Sequence, residues 1–150
     1  MKFKLLPLLL VLAAGASQAQ IVAIKDAWVR STVPGQMATG AFMTISARQN
    51  AKLVAVSTPV AGVAEVHEMK MEGGIMKMRA VDGGLDLPAG KAVALKPGGY
   101  HIMLMDLKSA LPKGGEVPLT LVFKDASGVE SRIELRLPVA ATADSAAHKP

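Results

Sequence analysis

Cysteine is absent from this 150-residue chain, and the absence closes several routes at once. No disulfide can staple the fold and no thiol can carry redox chemistry. No thiolate can hold zinc or a blue-copper ion, and no Cys-x-x-Cys-His can attach a c-type haem. Aromatic residues are scarce, at 3% of the chain, and the basic residues are spread along it rather than blocked. A nucleic-acid surface needs clustered cations and stacking rings, so that class has little support. There is no apolar run long enough for a comfortable membrane span, and no Gly-x-Gly-x-x-Gly or Walker pattern to cradle phosphate. No nucleophile stands in a recognisable catalytic context, which argues against an enzyme. Any metal site must be assembled from His, Met and carboxylates.

What is present begins with an export signal. Met1-Lys2-Phe3-Lys4 is basic, Leu5 to Ala14 is apolar, and Ser17-Gln18-Ala19 puts small residues at a cut expected before Gln20. Residues 1–19 then form a signal peptide, 20–138 one domain large enough to bury a core without staples, and 139–150 a small, polar tail expected to be disordered. The formal charge of +5 drops to about +3 once Lys2 and Lys4 leave with the leader.

The domain reads as all-β. Ile21 to Arg30 is β-prone and ends in turn chemistry at Ser31-Thr32-Val33-Pro34-Gly35. Strands are expected over 39–47, 52–57, 62–71, 74–80, 91–96, 100–105, 117–123 and 129–137. Glu72-Gly73-Gly74 supplies the positive φ of a tight hairpin between the third and fourth of these, and Asp125-Ala126-Ser127-Gly128 turns the last pair. No window holds a helical period between caps, and the turn spacing suits an antiparallel sandwich or barrel.

Methionine is the residue in unusual supply. Six of the eight that follow the initiator fall within 69–78 and 103–105, although Met is ordinarily a scattered gap-filler. In an extended Gly99-Tyr100-His101-Ile102-Met103-Leu104-Met105, alternation puts Tyr100, Ile102 and Leu104 on a core face and His101, Met103 and Met105 on the other. His67 and Met78 flank the hairpin upstream. The candidate set is His67, Met78, His101 and Met103, with ten, twenty-two and one residues between them. Two imidazoles and two thioethers favour Cu(I) over zinc, magnesium or calcium. Met69, Met71, Met76 and Met105 are expected to pack or to stand behind the ligands, and Glu65 and Glu68 to be solvated strand charges. On spacing alone, a reading in which every Met fills the core stays open.

The segments His67-Glu68-Met69, Glu72-Gly73-Gly74-Ile75-Met76-Lys77-Met78-Arg79, Leu85-Asp86-Leu87-Pro88-Ala89-Gly90 and Leu95-Lys96-Pro97-Gly98-Gly99-Tyr100-His101-Ile102-Met103-Leu104-Met105 resemble the PCuAC copper chaperones. Ala27-Trp28-Val29-Arg30 fits that family's first strand. The resemblance covers nearly all of 22–138. It implies a cupredoxin-like Greek-key β-sandwich that works as a monomer in the periplasm and carries one Cu(I) on His67, Met78, His101 and Met103. The implied partners are a Sco-type copper protein and the copper subunit of cytochrome c oxidase, or copper homeostasis more broadly. Some members bind Cu(II) through a His- and Met-rich tail. Here the tail offers His148 alone, which leaves little for a cupric site. Glu68, Tyr100 or backbone groups are expected to orient the imidazoles. Two other readings compete: an exported β-sandwich interaction or scaffold module with no metal, and an electron-transfer protein with non-covalent haem.

Overall fold

A computed structural model describes residues 21–142. The expected signal peptide and residues 143–150 of the tail, His148 included, lie outside the described residues. All ten elements are strands: β1 (Val22–Arg30), β2 (Ala38–Ala47), β3 (Ala51–Ser57), β4 (Ala61–Glu72), β5 (Ile75–Ala80), β6 (Leu85–Leu87), β7 (Ala92–Leu95), β8 (His101–Leu107), β9 (Glu116–Asp125) and β10 (Glu130–Ala140). Their hydrogen-bonded order is β5-β4-β8-β2-β1-β10-β9-β3-β6, with β7 on the free part of β2. Every pairing is antiparallel except that of β1 with β10, which run parallel at Val29↔Val139. That parallel join, between strands far apart in sequence, links the β5-β4-β8-β2-β1 half to the β10-β9-β3-β6 half and produces the Greek-key sandwich.

The expected strands recur with small changes at their ends. Leu85–Leu87, outside the expected strands, pairs with β3 because Leu85 and Leu87 both bury. The expected domain end at 138 falls short: β10 continues through Val139 and Ala140, which are buried, so the tail begins later than its polar composition suggested.

Alternation builds the core. Val29, Ile45, Leu53, Leu87, Ile102, Leu104, Val117, Leu119, Leu121, Phe123 and Leu137 are fully buried between the two halves. Met43 joins them at 2% exposure, the ordinary use of methionine as filler. β2 is buried on both faces from Thr39 to Met43. On the side away from the core, Trp28, Phe42 and Ala140 form a second, small cluster. A bulge at Lys25–Trp28, with Asp26 at φ 54°, shifts the register so that Trp28 lies opposite Phe42.

The β4–β5 hairpin outruns the sandwich. Ala61, Ala64 and Val66 of β4 pack on the core, whereas Lys70 to Glu72 and the whole of β5 are exposed. Gly73 and Gly74 at its tip hold φ of 58° and 79°, the left-handed conformation that a tight turn demands and that glycine adopts without strain.

Candidate metal centre

The expected division of β8 into two chemistries holds, with one exception. Ile102 and Leu104 are fully buried in the core, and His101 and Met103 occupy the opposite face. Tyr100 does not join the core: it precedes the strand, in the turn, and is 38% exposed. It therefore does not orient an imidazole.

β4 lies directly against β8, with His67 opposite His101 and Glu65 opposite Met103. On the far side of β4, β5 sets Ala80 opposite His67 and Met78 opposite Met69. Because register partners share a face, the outer face carries the row Ala80–His67–His101 and, one step toward the hairpin tip, the pair Met78–Met69. His67 and His101 are both buried, and their ring centroids are 6.0 Å apart. Met78, His101 and Met103 line one cavity of about 290 Å³ whose wall also includes Met69, Arg30 and Phe42. His67 stands beside this cavity rather than in its wall. A larger depression of about 720 Å³, rimmed by Lys52, Asp86 and Lys124, contains no His or Met.

The hydrogen bonds determine which ring nitrogens are free. His101 Nδ1 lies 3.0 Å from the Gly99 carbonyl oxygen, which can only accept, so Nδ1 carries the proton. In the neutral ring Nε2 is then a bare lone pair, and it points at Met78 Sδ from 3.1 Å. Neither atom has a proton to give the other. Two donor atoms facing one another with lone pairs inward suit a shared soft cation and little else.

The same logic applies to His67. Its Nε2 is 3.0 Å from Glu65 Oε2, so Nε2–H donates to the carboxylate and Nδ1 keeps its lone pair. Nδ1 is buried and, among the described residues, is the buried side-chain nitrogen or oxygen without a hydrogen-bond partner. Such an orphan carries a desolvation cost that a metal ion would relieve. Glu65 is the exposed strand charge expected, and its carboxylate in addition orients the His67 ring, in the pattern common to metal-binding histidines. Glu68, expected as a possible orienting group, instead accepts from Arg79 Nε at 2.9 Å on the other face of the hairpin.

The walls of the site come from the small outer cluster. Phe42 packs on Trp28 with centroids 4.8 Å apart and lies 6.5 Å from His101, and the Arg30 guanidinium sits 5.2 Å over the Phe42 ring. Gly40, opposite Met103, leaves room for that ring: a Cβ there would come within 2.7 Å of Phe42 Cζ.

The structure places all four expected residues on one face, three of them around one cavity. Met69, expected to pack or to stand behind the ligands, lines the same cavity and is Met78's register partner. Its spacing from Met71 and from His67 was the available signal. Met71 and Met76 are 60% and 47% exposed, so they do not pack. No group of three or more His, Cys, Asp or Glu side chains placed to hold a metal ion occurs among the described residues. A metal centre here depends on thioether sulfur.

Residues 22–138 match the family model of LpqE-like lipoproteins. Among curated proteins, "Putative lipoprotein Lxx21020" of Leifsonia xyli is 34% identical over 110 residues, 73% of this chain and 66% of its own length. A Rickettsia prowazekii protein without an assigned function is 35% identical over 65% of this chain and 57% of its own. The chain thus spans less than two thirds of the length of these relatives. Among solved structures, the solution structure of Cu(I)-DR1885 from Deinococcus radiodurans is 30% identical at a TM-score of 0.63, covering 86% of this chain and 84% of that one. The apo PCuAC domain from PmoF1 superposes at 0.62 with 24% identity, covering 82% and 96%, and bears on fold alone. The fold is the cupredoxin-like β-sandwich of PCuAC domains.

Proposed function

The chain belongs to the LpqE-like family and has the PCuAC fold, and from that premise we propose that it is an exported copper carrier of the bacterial envelope. It holds one Cu(I) per monomer on His67, Met78, His101 and Met103 and passes it on. The supporting observation is the facing of His101 Nε2 and Met78 Sδ at 3.1 Å, with His67 Nδ1 left without a partner nearby. The Cu(I)-bound state of DR1885, the relative at 30% identity, adds weight.

The chemistry suits cargo. Four neutral donors leave a cuprous ion its charge, and thioethers hold it without the disulfide formation that would disable a thiol carrier in an oxidising compartment. The site lies on the outer face of the sheet, beside an exposed hairpin, where an acceptor can replace the ligands one at a time. None of the four is placed as a nucleophile or general base, and we assign no reaction beyond transfer. The acceptors that fit are a Sco-type protein or the copper subunit of cytochrome c oxidase in the periplasm, with copper homeostasis as the broader role.

The test is an anaerobic Cu(I) titration of residues 20–150 against a chromophoric chelator, beside His101→Ala and Met78→Ala. One tight equivalent, weakened in both variants while their circular dichroism stays unchanged, is the expected outcome. Failure to take copper from the chelator would return the molecule to the class of exported β-sandwich interaction modules.

A further inference from the structure

The β4–β5 hairpin has two unlike faces. Glu68 and Glu72 on β4 pair with Arg79 and Lys77 on β5 at 2.9–3.6 Å, and the Glu68 hydrogen bond raises the Arg79 guanidinium above its ordinary value. Beyond His67 and Ala80, the other face carries methionine only: Met69 opposite Met78 and, one rung nearer the tip, Met71 opposite Met76. Cross-strand partners have Cβ atoms about 4.5–5.5 Å apart, within the span of two thioether arms converging on one ion. Successive rungs on a face stand about 7 Å apart, so the two pairs cannot share one ion yet lie within reach of a flexible Met side chain between them.

Exposure makes this arrangement unlike packing. Met71 and Met76 bury into nothing: they are 60% and 47% exposed at the end of a ribbon that projects past the sandwich. Four thioethers in two register-matched rungs run from the cavity holding His101 and Met103 to the Gly73–Gly74 tip.

We propose that Met71 and Met76 form a second, outer Cu(I)-binding pair, and that copper enters and leaves the four-ligand centre through it, with Met69 and Met78 as the rung in common. The inference rests on the carrier reading above. Each step is a ligand substitution: one thioether bonds to Cu(I) as another ligand leaves, the ion stays cuprous, and no proton or electron moves. Weak, uncharged, exposed thioethers suit that task, since a tight outer site would trap the ion. The neighbouring rung is held at high effective concentration, so an ion released from His101 meets a sulfur before it meets water.

The experiment pairs equilibrium with rate, using the full mature chain loaded with one Cu(I) under anaerobic conditions and bicinchoninate as the acceptor followed by stopped-flow. The variants are Met71→Ile with Met76→Ile, which keeps apolar, strand-favouring side chains but removes both sulfurs, and Lys70→Gln as a hairpin control. The double variant is expected to bind the first equivalent as tightly as the parent, to lose the weaker second equivalent, and to transfer on the order of tenfold more slowly. The control is expected to behave as the parent in all three. Transfer at the parent rate with the second equivalent intact overturns the outer pair and leaves the carrier standing. If the parent takes no first equivalent, the carrier reading itself fails. Slowed transfer accompanied by a weakened first equivalent also overturns the proposal, because the outer sulfurs would then belong to the inner site.

Discussion

Replacing Gly40 by alanine tests whether the wall beside the candidate metal centre is as tightly determined as the geometry indicates. The new Cβ would stand 2.7 Å from Phe42 Cζ and 3.3 Å from both Cε atoms. Reaching the usual carbon–carbon optimum of about 3.5–4.0 Å requires the ring to retreat by about 0.8–1.3 Å. It has little room: Phe42 is 4% exposed, Trp28 packs against it with centroids 4.8 Å apart, and Arg30 covers it. Overpacking of this kind costs about 1–3 kcal/mol. The reduced backbone freedom of the unfolded alanine chain offsets about 0.4–1 kcal/mol of that. The middle of these ranges is a net loss of about 1.3 kcal/mol, which should lower Tm by about 5 °C in a domain of this size. Trp28, the single tryptophan, reports on the same cluster, so the melt is followed by its fluorescence, and the folded-state emission should shift as the ring moves. The decisive arm is a double-mutant cycle with Phe42→Leu. Once the ring is gone the Gly40→Ala penalty should vanish, a coupling of about 1 kcal/mol or more. An unchanged Tm in the single variant, or the same drop in both backgrounds, would falsify the account of Gly40 as the space for Phe42.

Two further outcomes follow from the site. Glu65→Gln should weaken Cu(I) binding by about tenfold, the low end of the range for groups that orient metal-bound histidines, because the carboxylate is 46% exposed and water replaces part of its role. Competition titration checks this, and undiminished affinity with native circular dichroism would remove Glu65 from the site. Under mild peroxide, peptide mass spectrometry should find Met37, Met71, Met76 and Met78 converted to sulfoxide long before Met43, since the first four are 47–60% exposed and Met43 is 2% exposed. Cu(I) loading should protect Met78 but not Met37, and equal protection of the two would show that coordination is not the cause.

Strand positions and their two-faced character were legible in local sequence because alternation of side chains is a property of the extended backbone itself. His101 and Met103 opposite Ile102 and Leu104, and the glycine pair turning β4 into β5, needed nothing from the rest of the chain. The clustering of methionine and the lack of any thiol, likewise, narrow by composition alone the metal chemistry open to the chain. Tertiary structure decided the remainder. That β4 pairs with β8, setting His67 opposite His101, is a contact between strands distant in sequence, and no local periodicity encodes which strands become neighbours. Glu65 and the Gly99 carbonyl acquire their roles only once the rings they orient are placed, whereas Glu68 and Tyr100, equally near in sequence, point elsewhere. Phe42 and Gly40 belong to the site solely through the pairing of β2 with β8. The exposure of Met71 and Met76 depends on how far the hairpin outruns the core, which the packing of the other strands determines. Composition and alternation set the available chemistry; the long-range pairing of strands selected which of those groups meet.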